Sequence, residues 1–284
     1  MDEWKKMGIK SVFFAGDGDP LLNKDCVEMV EFTSKAGIDI AMNTNGRLLN
    51  DAKAKVLAEN LSWIRVSLNA GTKENYGKIH GTSEKDFEIV LNNLKSLVKY
   101  KKKDSDFVIG VQCLLLQENF HEIRDLAKLL KEIGVDYLAI KPFLKHPLVE
   151  YSTEVENKNE VLKELLKAES LNDESFKFVL RENNFKPAEK RNYDKCLSGP
   201  FMLEVDAKGD VYTCGPYIND KNHMYGNILD QSFEQMWKSE ERKKITLEIQ
   251  NKLDVSKCMP FCRPDSVNQL LWNLKNPPLH INYI

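Results

Sequence analysis

Through the first half of the chain, short runs of apolar and β-branched residues alternate with stretches whose apolar positions recur at helical spacing, which is the pattern of βα units building a parallel sheet. It predicts strands at Ser11–Ala15, Asp39–Asn43, Ile64–Leu68, Phe107–Leu115 and Tyr137–Ile140. Between the first two strands, Cys26, Met29, Val30 and Thr33 fall on one face of a helix that Gly37 stops. Further helices are expected over Asp51–Asn60, Asp86–Tyr100 and Glu122–Ile133, the last ended by Gly134. Five units in the first 142 residues are too few for a closed eight-fold barrel, which needs about 250. A partial, open barrel or a doubly wound sheet remains.

The pattern then changes. Residues 1–145 read as the α/β domain and 146–192 as a connector, with a Glu/Lys/Leu-rich helix over Val149–Ala168 and a strand near Ser175–Asn183. Residues 193–284 read as a small second domain, where Phe201–Val205 and Asp210–Cys214 flank Asp206-Ala207-Lys208-Gly209 as a β-hairpin. The basic run Lys99–Lys103 reads as a solvated helix end whose charges complement the helix dipole.

Composition narrows the function classes. With 284 residues, 42% hydrophobic and 30% charged, the chain is neither disordered nor collagen-like. Its 41 Lys and Arg against 43 Asp and Glu offer no electrostatic footprint for nucleic acid or an anionic membrane. The longest apolar stretches, such as Ser11–Gly16 and Val108–Leu116, fall well short of the ~20 residues a spanning helix needs. The charged start, Met1-Asp2-Glu3-Trp4-Lys5-Lys6, lacks the apolar core of a signal peptide, so a cytoplasmic location with reduced thiols is expected.

Six reduced cysteines are ligands, nucleophiles or buried fillers. Cys26 and Cys113, within a helix face and a strand, read as packing. The other four are spaced Cys196-x17-Cys214-x43-Cys258-x3-Cys262, a way for a small domain to gather four thiolates around one inorganic centre. Spacing alone leaves a tetrahedral zinc and an iron-sulfur cluster equally open.

In a parallel α/β sheet, ligands bind at the carboxyl ends of the strands. Here those ends are polar: Gly16-Asp17-Gly18-Asp19-Pro20 after the first strand, Asn43-Thr44-Asn45-Gly46 after the second, Ser67-Leu68-Asn69 after the third, Gln112 in the fourth and Lys141-Pro142 after the fifth. The glycines let backbone approach a ligand closely, and the aspartates suit a cationic ammonium better than a phosphate. An ordinary acid-base enzyme is disfavoured, because Asp17 and Asp19 have no evident His or second acidic partner.

These residues resemble the radical S-adenosylmethionine superfamily. Gly16-x-Gly18-Asp19-Pro20 resembles its Gly-Gly-Glu-Pro element, whose backbone holds the cofactor's amino group. Asn43-Thr44-Asn45-Gly46 resembles its Thr-Thr-Asn-Gly strand end, and Arg65-Val66-Ser67-Leu68-Asn69 its Val-Ser-Leu-Asp strand near the cofactor's ribose and carboxylate. The C-terminal region is similar to the SPASM or twitch auxiliary-cluster domain, on Cys214-Gly215-Pro216, Tyr225-Gly226-Asn227-Ile228, Ser232–Trp237 and Cys258-x3-Cys262-Arg263.

The resemblance implies a partial, open (β/α) barrel followed by a small α+β SPASM/twitch domain. One auxiliary [4Fe-4S] cluster on Cys196, Cys214, Cys258 and Cys262 is implied, since no cysteine follows Cys262. Cofactor contacts fall on Gly16, Asp17, Gly18, Asp19, Pro20, Asn45, Ser67 and Asn69, and substrate contacts on Gln112 and Lys141.

One departure is large. The superfamily's Cys-x3-Cys-x2-Cys run, which holds the cluster that cleaves the cofactor, does not occur in these 284 residues. With five βα units found against the family's six, the strand at Ser11 is expected to be the family's second. The chain is then expected to be an N-terminally shortened enzyme, or else a catalytically dead, zinc- or cluster-stabilised binding relative. For the complete enzyme the resemblance implies S-adenosylmethionine and a second [4Fe-4S] cluster, a 5'-deoxyadenosyl radical that abstracts hydrogen, and an electron donor such as flavodoxin or ferredoxin. The expected substrate is a sugar- or aminocyclitol-like small molecule or a peptide, with a net oxidation assisted by the auxiliary cluster.

Overall fold

The computed structural model describes all residues except 1, 17, 144–154, 182–184, 186–189, 260–261, 278 and 281–284. The chain divides into two compact units, Met1–Lys186 and Pro187–Ile284.

The first unit is built on six parallel strands: β1 (Ser11–Phe14), β2 (Asp39–Thr44), β3 (Trp63–Ser67), β4 (Val108–Leu115), β5 (Tyr137–Pro142) and β6 (Lys177–Leu180). They are hydrogen-bonded in chain order, each to the next. Parallel crossovers keep one hand, so strands that always advance in the same direction place their helices on one face. The connecting helices are α2 (Cys26–Lys35), α3 (Asp51–Asn60), α4 (Lys73–His80), α5 (Lys85–Tyr100), α6 (Ile123–Ile133) and α7 (Lys158–Leu166), preceded by the short α1 (Asp2–Lys6). This is a partial, open α/β barrel.

Burial follows the strand period of two. Ile40 and Met42, Ile64 and Val66, Ile109 and Val111, and Leu138 and Ile140 are buried in one core with Leu57, Leu94, Leu97, Leu126 and Leu130 of the helices. The alternate residues of β3, Trp63, Arg65 and Ser67, stay partly exposed on the opposite face. Local chemistry sets the helix ends: Asn50 accepts the amide of Lys53 to start α3, and Gly134, at φ +96°, closes α6.

Two expectations are corrected, and one helix, α4, was not anticipated. Met29 is 43% exposed, and only Cys26, Val30 and Thr33 of α2 are buried. The helix packs at the end of the sheet, where a narrow stripe meets the strands. The polar segment of α4 buries only Tyr76 completely, too little for a periodic signal. The stretch expected as a connector supplies β6, whose Lys177–Leu180 pairs with Tyr137–Ile140. Phe176 and Phe178, two apart and buried, extend the core across that last strand. The sheet therefore has six strands where the sequence suggests five, the additional one lying at its far end; residues 149–154 of the expected helix lie outside the described residues.

The second unit carries an antiparallel sheet of β7 (Glu204–Val205), β8 (Asp210–Tyr212) and β9 (Met224–Asn227), followed by α8 (Phe233–Lys238), α9 (Glu240–Lys252) and α10 (Asp265–Lys275). The expected hairpin is present, shortened to two residues on its first strand because Gly199–Phe201 turns as 3-10 helix. A reciprocal capping box of Ser232 and Gln235 starts α8. Among the described residues, no helix is long and apolar enough to cross a membrane.

Leu94 is fully buried where α5 meets the sheet. Leu94→Ala should destabilise the first unit by about 2–5 kcal/mol, read as a lower urea midpoint; an unchanged midpoint would contradict this packing.

Candidate functional site

The loops after β1 and β2 are tied together by one carboxylate. Asp19 Oδ2 accepts from Thr44 Oγ1 at 2.7 Å and from the Asn45 amide at 2.6 Å, while Oδ1 caps the Leu21 amide at 2.9 Å. Pro20 opens the short 3-10 turn that follows. Asp19 is therefore a brace between strand ends, with both oxygens engaged. Gly16 and Gly18 take φ values of +133° and +98°, and a Cβ on Gly16 would meet nothing within 4 Å. Backbone in this conformation with open space beside it can approach a ligand closely. Asp17 lies outside the described residues.

The second loop is held from behind. Asn45 Oδ1 accepts the Arg47 amide at 2.9 Å, and Asn93 of α5 donates to the Gly46 carbonyl at 2.7 Å. Arg47 Nε lies 2.9 Å from Asp86 Oδ2, whose carboxylate is buried. A hydrogen bond from Thr82, and then Arg47, hold the Asp86 carboxyl below the usual carboxylate range.

Asn69 serves as a second brace. Its Oδ1 accepts the Leu114 amide at 2.9 Å, its carbonyl accepts from Asn119, and its amide donates to His80 Nε2 at 3.1 Å. His80 stacks on Tyr76 at 4.3 Å, and burial lowers its pKa. By contrast, the Ser67 hydroxyl makes no hydrogen bond among the described residues. Ser67 sits opposite Gln112 in the parallel register, and Lys141 opposite Leu114.

Sequence reasoning passed over several groups on this face. Arg65 donates from Nη1 to Gln112 Oε1 at 3.3 Å and from Nε to Tyr137 Oη at 3.2 Å, and its Cζ lies 4.9 Å from the Trp63 ring centroid. Asn43, its neighbour on β2, has a buried amide oxygen with no hydrogen-bond partner. Strand period alone could have put Trp63, Arg65 and Ser67 on one face, but not which face the helices leave open.

In the second unit, Cys196, Cys214, Cys258 and Cys262 line one pocket, walled by Met202, Ile249, Leu253, Tyr217 and Tyr225 among others. Burial, then the neighbouring Cys262 and Cys196, push the Cys214 thiol up to about 12; burial, then Cys258 and Cys196, push Cys262 up to about 11. Converging thiols, of which Cys214 and Cys262 resist ionisation, suit a centre whose cationic core compensates thiolate charge. Among the described residues, however, no three Cys, His, Asp or Glu side chains are grouped to hold a single metal ion. His223 stacks on Tyr217 at 3.7 Å and is bonded to Thr213 Oγ1, so it supports the wall. Cys26 and Cys113 are buried away from this pocket, and burial raises Cys26 to about 11.

Residues 1–130 match the family described as the radical SAM superfamily, and residues 196–264, which span all four cysteines, match the SPASM iron-sulfur cluster-binding domain. The chain is 30% identical over 140 residues to the tungsten-containing aldehyde ferredoxin oxidoreductase cofactor-modifying protein of Pyrococcus furiosus, covering 48% of this chain and 38% of that one. A probable GTP 3',8-cyclase of Methanocaldococcus jannaschii is 30% identical over 146 residues, covering 49% and 47%. The chain thus spans less than half the length of these curated relatives. Among solved structures, anSMEcpe with bound AdoMet and a Kp18Cys peptide shares the fold, with TM-score 0.58, 18% identity and coverage of 94% of this chain and 83% of that one.

Asp86 gives a pH test. Its folded-state pKa is depressed, so the stability it contributes is present above its unfolded value of about 3.9 and is lost as pH falls through the folded value. Asp86→Asn should lower the melting temperature at neutral pH and flatten its decline below about pH 5; parallel declines for the two proteins would show that the pair is not coupled to stability.

Proposed function

The chain belongs to the radical SAM superfamily and ends in a SPASM domain, and on that premise we propose that its first unit holds S-adenosylmethionine at the strand ends. In the same reading its second unit holds an auxiliary [4Fe-4S] cluster on Cys196, Cys214, Cys258 and Cys262. The observation that carries it is the convergence of four thiols in one pocket, all within the stretch that matches an iron-sulfur cluster-binding domain.

When bound, S-adenosylmethionine supplies a carbon radical that takes hydrogen from a substrate, and the cluster supplies an acceptor for the electron left behind. The chain's own part is positioning. Gly16 and Gly18 present backbone to the cofactor's amino group, alongside Asp17 and Pro20. Asp19 and Asn69 act at one remove, by fixing the loops on either side, and Asn45 shares that bracing through its backbone and Oδ1. Ser67 offers an uncommitted hydroxyl, and Gln112 and Lys141 face the substrate. The Cys-x3-Cys-x2-Cys run needed for reductive cleavage is not among these residues, so the radical step is proposed only for a protein that supplies it.

The reaction proposed is oxidation or another radical modification of a small molecule or peptide, with electrons exchanged through a flavodoxin- or ferredoxin-type donor. Peptide substrates are supported by the relative solved with a peptide and AdoMet, and small molecules by the relative named as a GTP cyclase.

Anaerobic purification followed by iron and sulfide analysis tests the cluster assignment. The expected result is broad visible absorption with iron and sulfide in about equal amounts, near four of each per chain. Cys214→Ala and Cys258→Ala should each lose the iron and the melting transition of the second unit, since metal binding in small sites contributes on the order of 10 kcal/mol to folding. Colourless protein with about one zinc would instead favour the zinc-stabilised binding protein.

A further inference from the structure

From the Arg65, Asn43, Gly110 and Tyr137 arrangement we infer that the helix-free face of the first unit's sheet carries a built receptor for an oxyanion, a carboxylate or phosphate, with a hydroxyl or amino group next to it. It deepens the proposed function by naming the substrate's anchoring chemistry, and it rests on reading this face as the substrate chamber.

The receptor is a cross-strand row. Asn43, Arg65, Gly110 and Tyr137 are successive partners on β2, β3, β4 and β5. Gly110 makes the row possible: a Cβ there would lie 2.1 Å from Tyr137 Cζ, so only a residue without one lets the phenol cross β4. Lying over Gly110, Tyr137 accepts from Arg65 Nε while Gln112 accepts from Nη1, and Trp63 supports the guanidinium from below. Trp63 is in turn packed against Phe13 at 5.2 Å.

Three neutral contacts thus fix the orientation of a cation, and none neutralises it. Arg65 forms no ion pair among the described residues, and its Nη2 donors are unused. At and beyond the Arg65 row, the positions of β2 to β6 that alternate with the buried ones include Lys141 and Lys177 and no Asp or Glu. A guanidinium held this way presents a planar fork of donors matched to a carboxylate or phosphate.

Asn43 supplies an independent sign of a ligand. Its Oδ1 is buried without a partner, an arrangement that is costly unless a donor arrives. Opposed residues on neighbouring strands lie about 5 Å apart. One small molecule can therefore place its oxyanion on Arg65 and an adjacent hydroxyl or amino group on Asn43.

The test uses the purified 284-residue chain with nitrogen-15 labelled arginine, following the Arg65 Nε–H signal during titration with lactate, propionate, glycerol 1-phosphate and neutral lactamide. Expected are saturable shifts with lactate or the phosphate ester, whichever binds tighter identifying the oxyanion, and none with lactamide at the same concentration. Lactate should bind several-fold tighter than propionate, and Asn43→Ala should abolish that difference. Arg65→Gln, where melting shows it folded, should weaken anion binding at least about tenfold by intrinsic fluorescence; Arg65→Lys keeps the charge and loses the fork, and serves if the glutamine variant does not fold. Equal response to lactamide and lactate, or unchanged anion binding in either Arg65 variant, overturns the inference. Because the cluster cysteines lie in the other unit, purified protein that carries no iron yet binds the anion counts against the cluster assignment alone, and protein that carries iron yet binds no anion counts against the receptor alone.

Discussion

Every side chain that the strands of the first unit present on the helix-free face owes its direction to the burial of the residue beside it. Ile64 and Val66 must face the helices, because both are large, apolar and fully buried. Trp63, Arg65 and Ser67 then have no choice of side, since successive side chains on a strand point to opposite faces. The same alternation puts Asn43 beside Met42, Gln112 beside Val111 and Tyr137 beside Leu138. Hydrophobic burial is thus the positioning device for the polar face, and a one-residue slip in register would bury the cation and expose the core.

The strand ends obey a different constraint. Where strands stop pairing, backbone amides need acceptors, and side chains close by are recruited. Asp19 meets the amides of Leu21 and Asn45, Asn69 meets Leu114, and buried Glu122 accepts from the Gly71 amide, Thr72 and Asn75. These residues are the polar types that a ligand would use. Their engagement divides the strand-end set into braces and available groups, with Gly16, Gly18 and Ser67 in the second class.

In the second unit the governing quantity is the cost of thiolate charge. Converging cysteines in an apolar pocket hold on to their protons through burial and mutual repulsion. Such a site gains from a cationic inorganic core what it cannot gain from water. The neighbouring Tyr217 and His223, stacked and hydrogen-bonded, make the wall rigid without adding ligands.

Period-two and period-3.6 patterns were enough to locate β1 to β5 and the helices between them other than α4, because those elements bury continuous apolar stripes. Cysteine spacing likewise put four candidate ligands in one small domain, and the strand-end motifs indicated the family. The sequence showed a strand near Ser175–Asn183 but not that Lys177–Leu180 completes the sheet, since its pairing with β5 is settled only when Phe176 and Phe178 find a core to fill. Nor could it separate Asp19 as a brace from Gly16 as an open approach. The Arg65 receptor was least legible: a charged strand residue looks like any solvent-facing one. Its orientation depends on a missing side chain at Gly110 and a phenol 72 residues further along the chain, a relation that exists only once β3, β4 and β5 lie side by side.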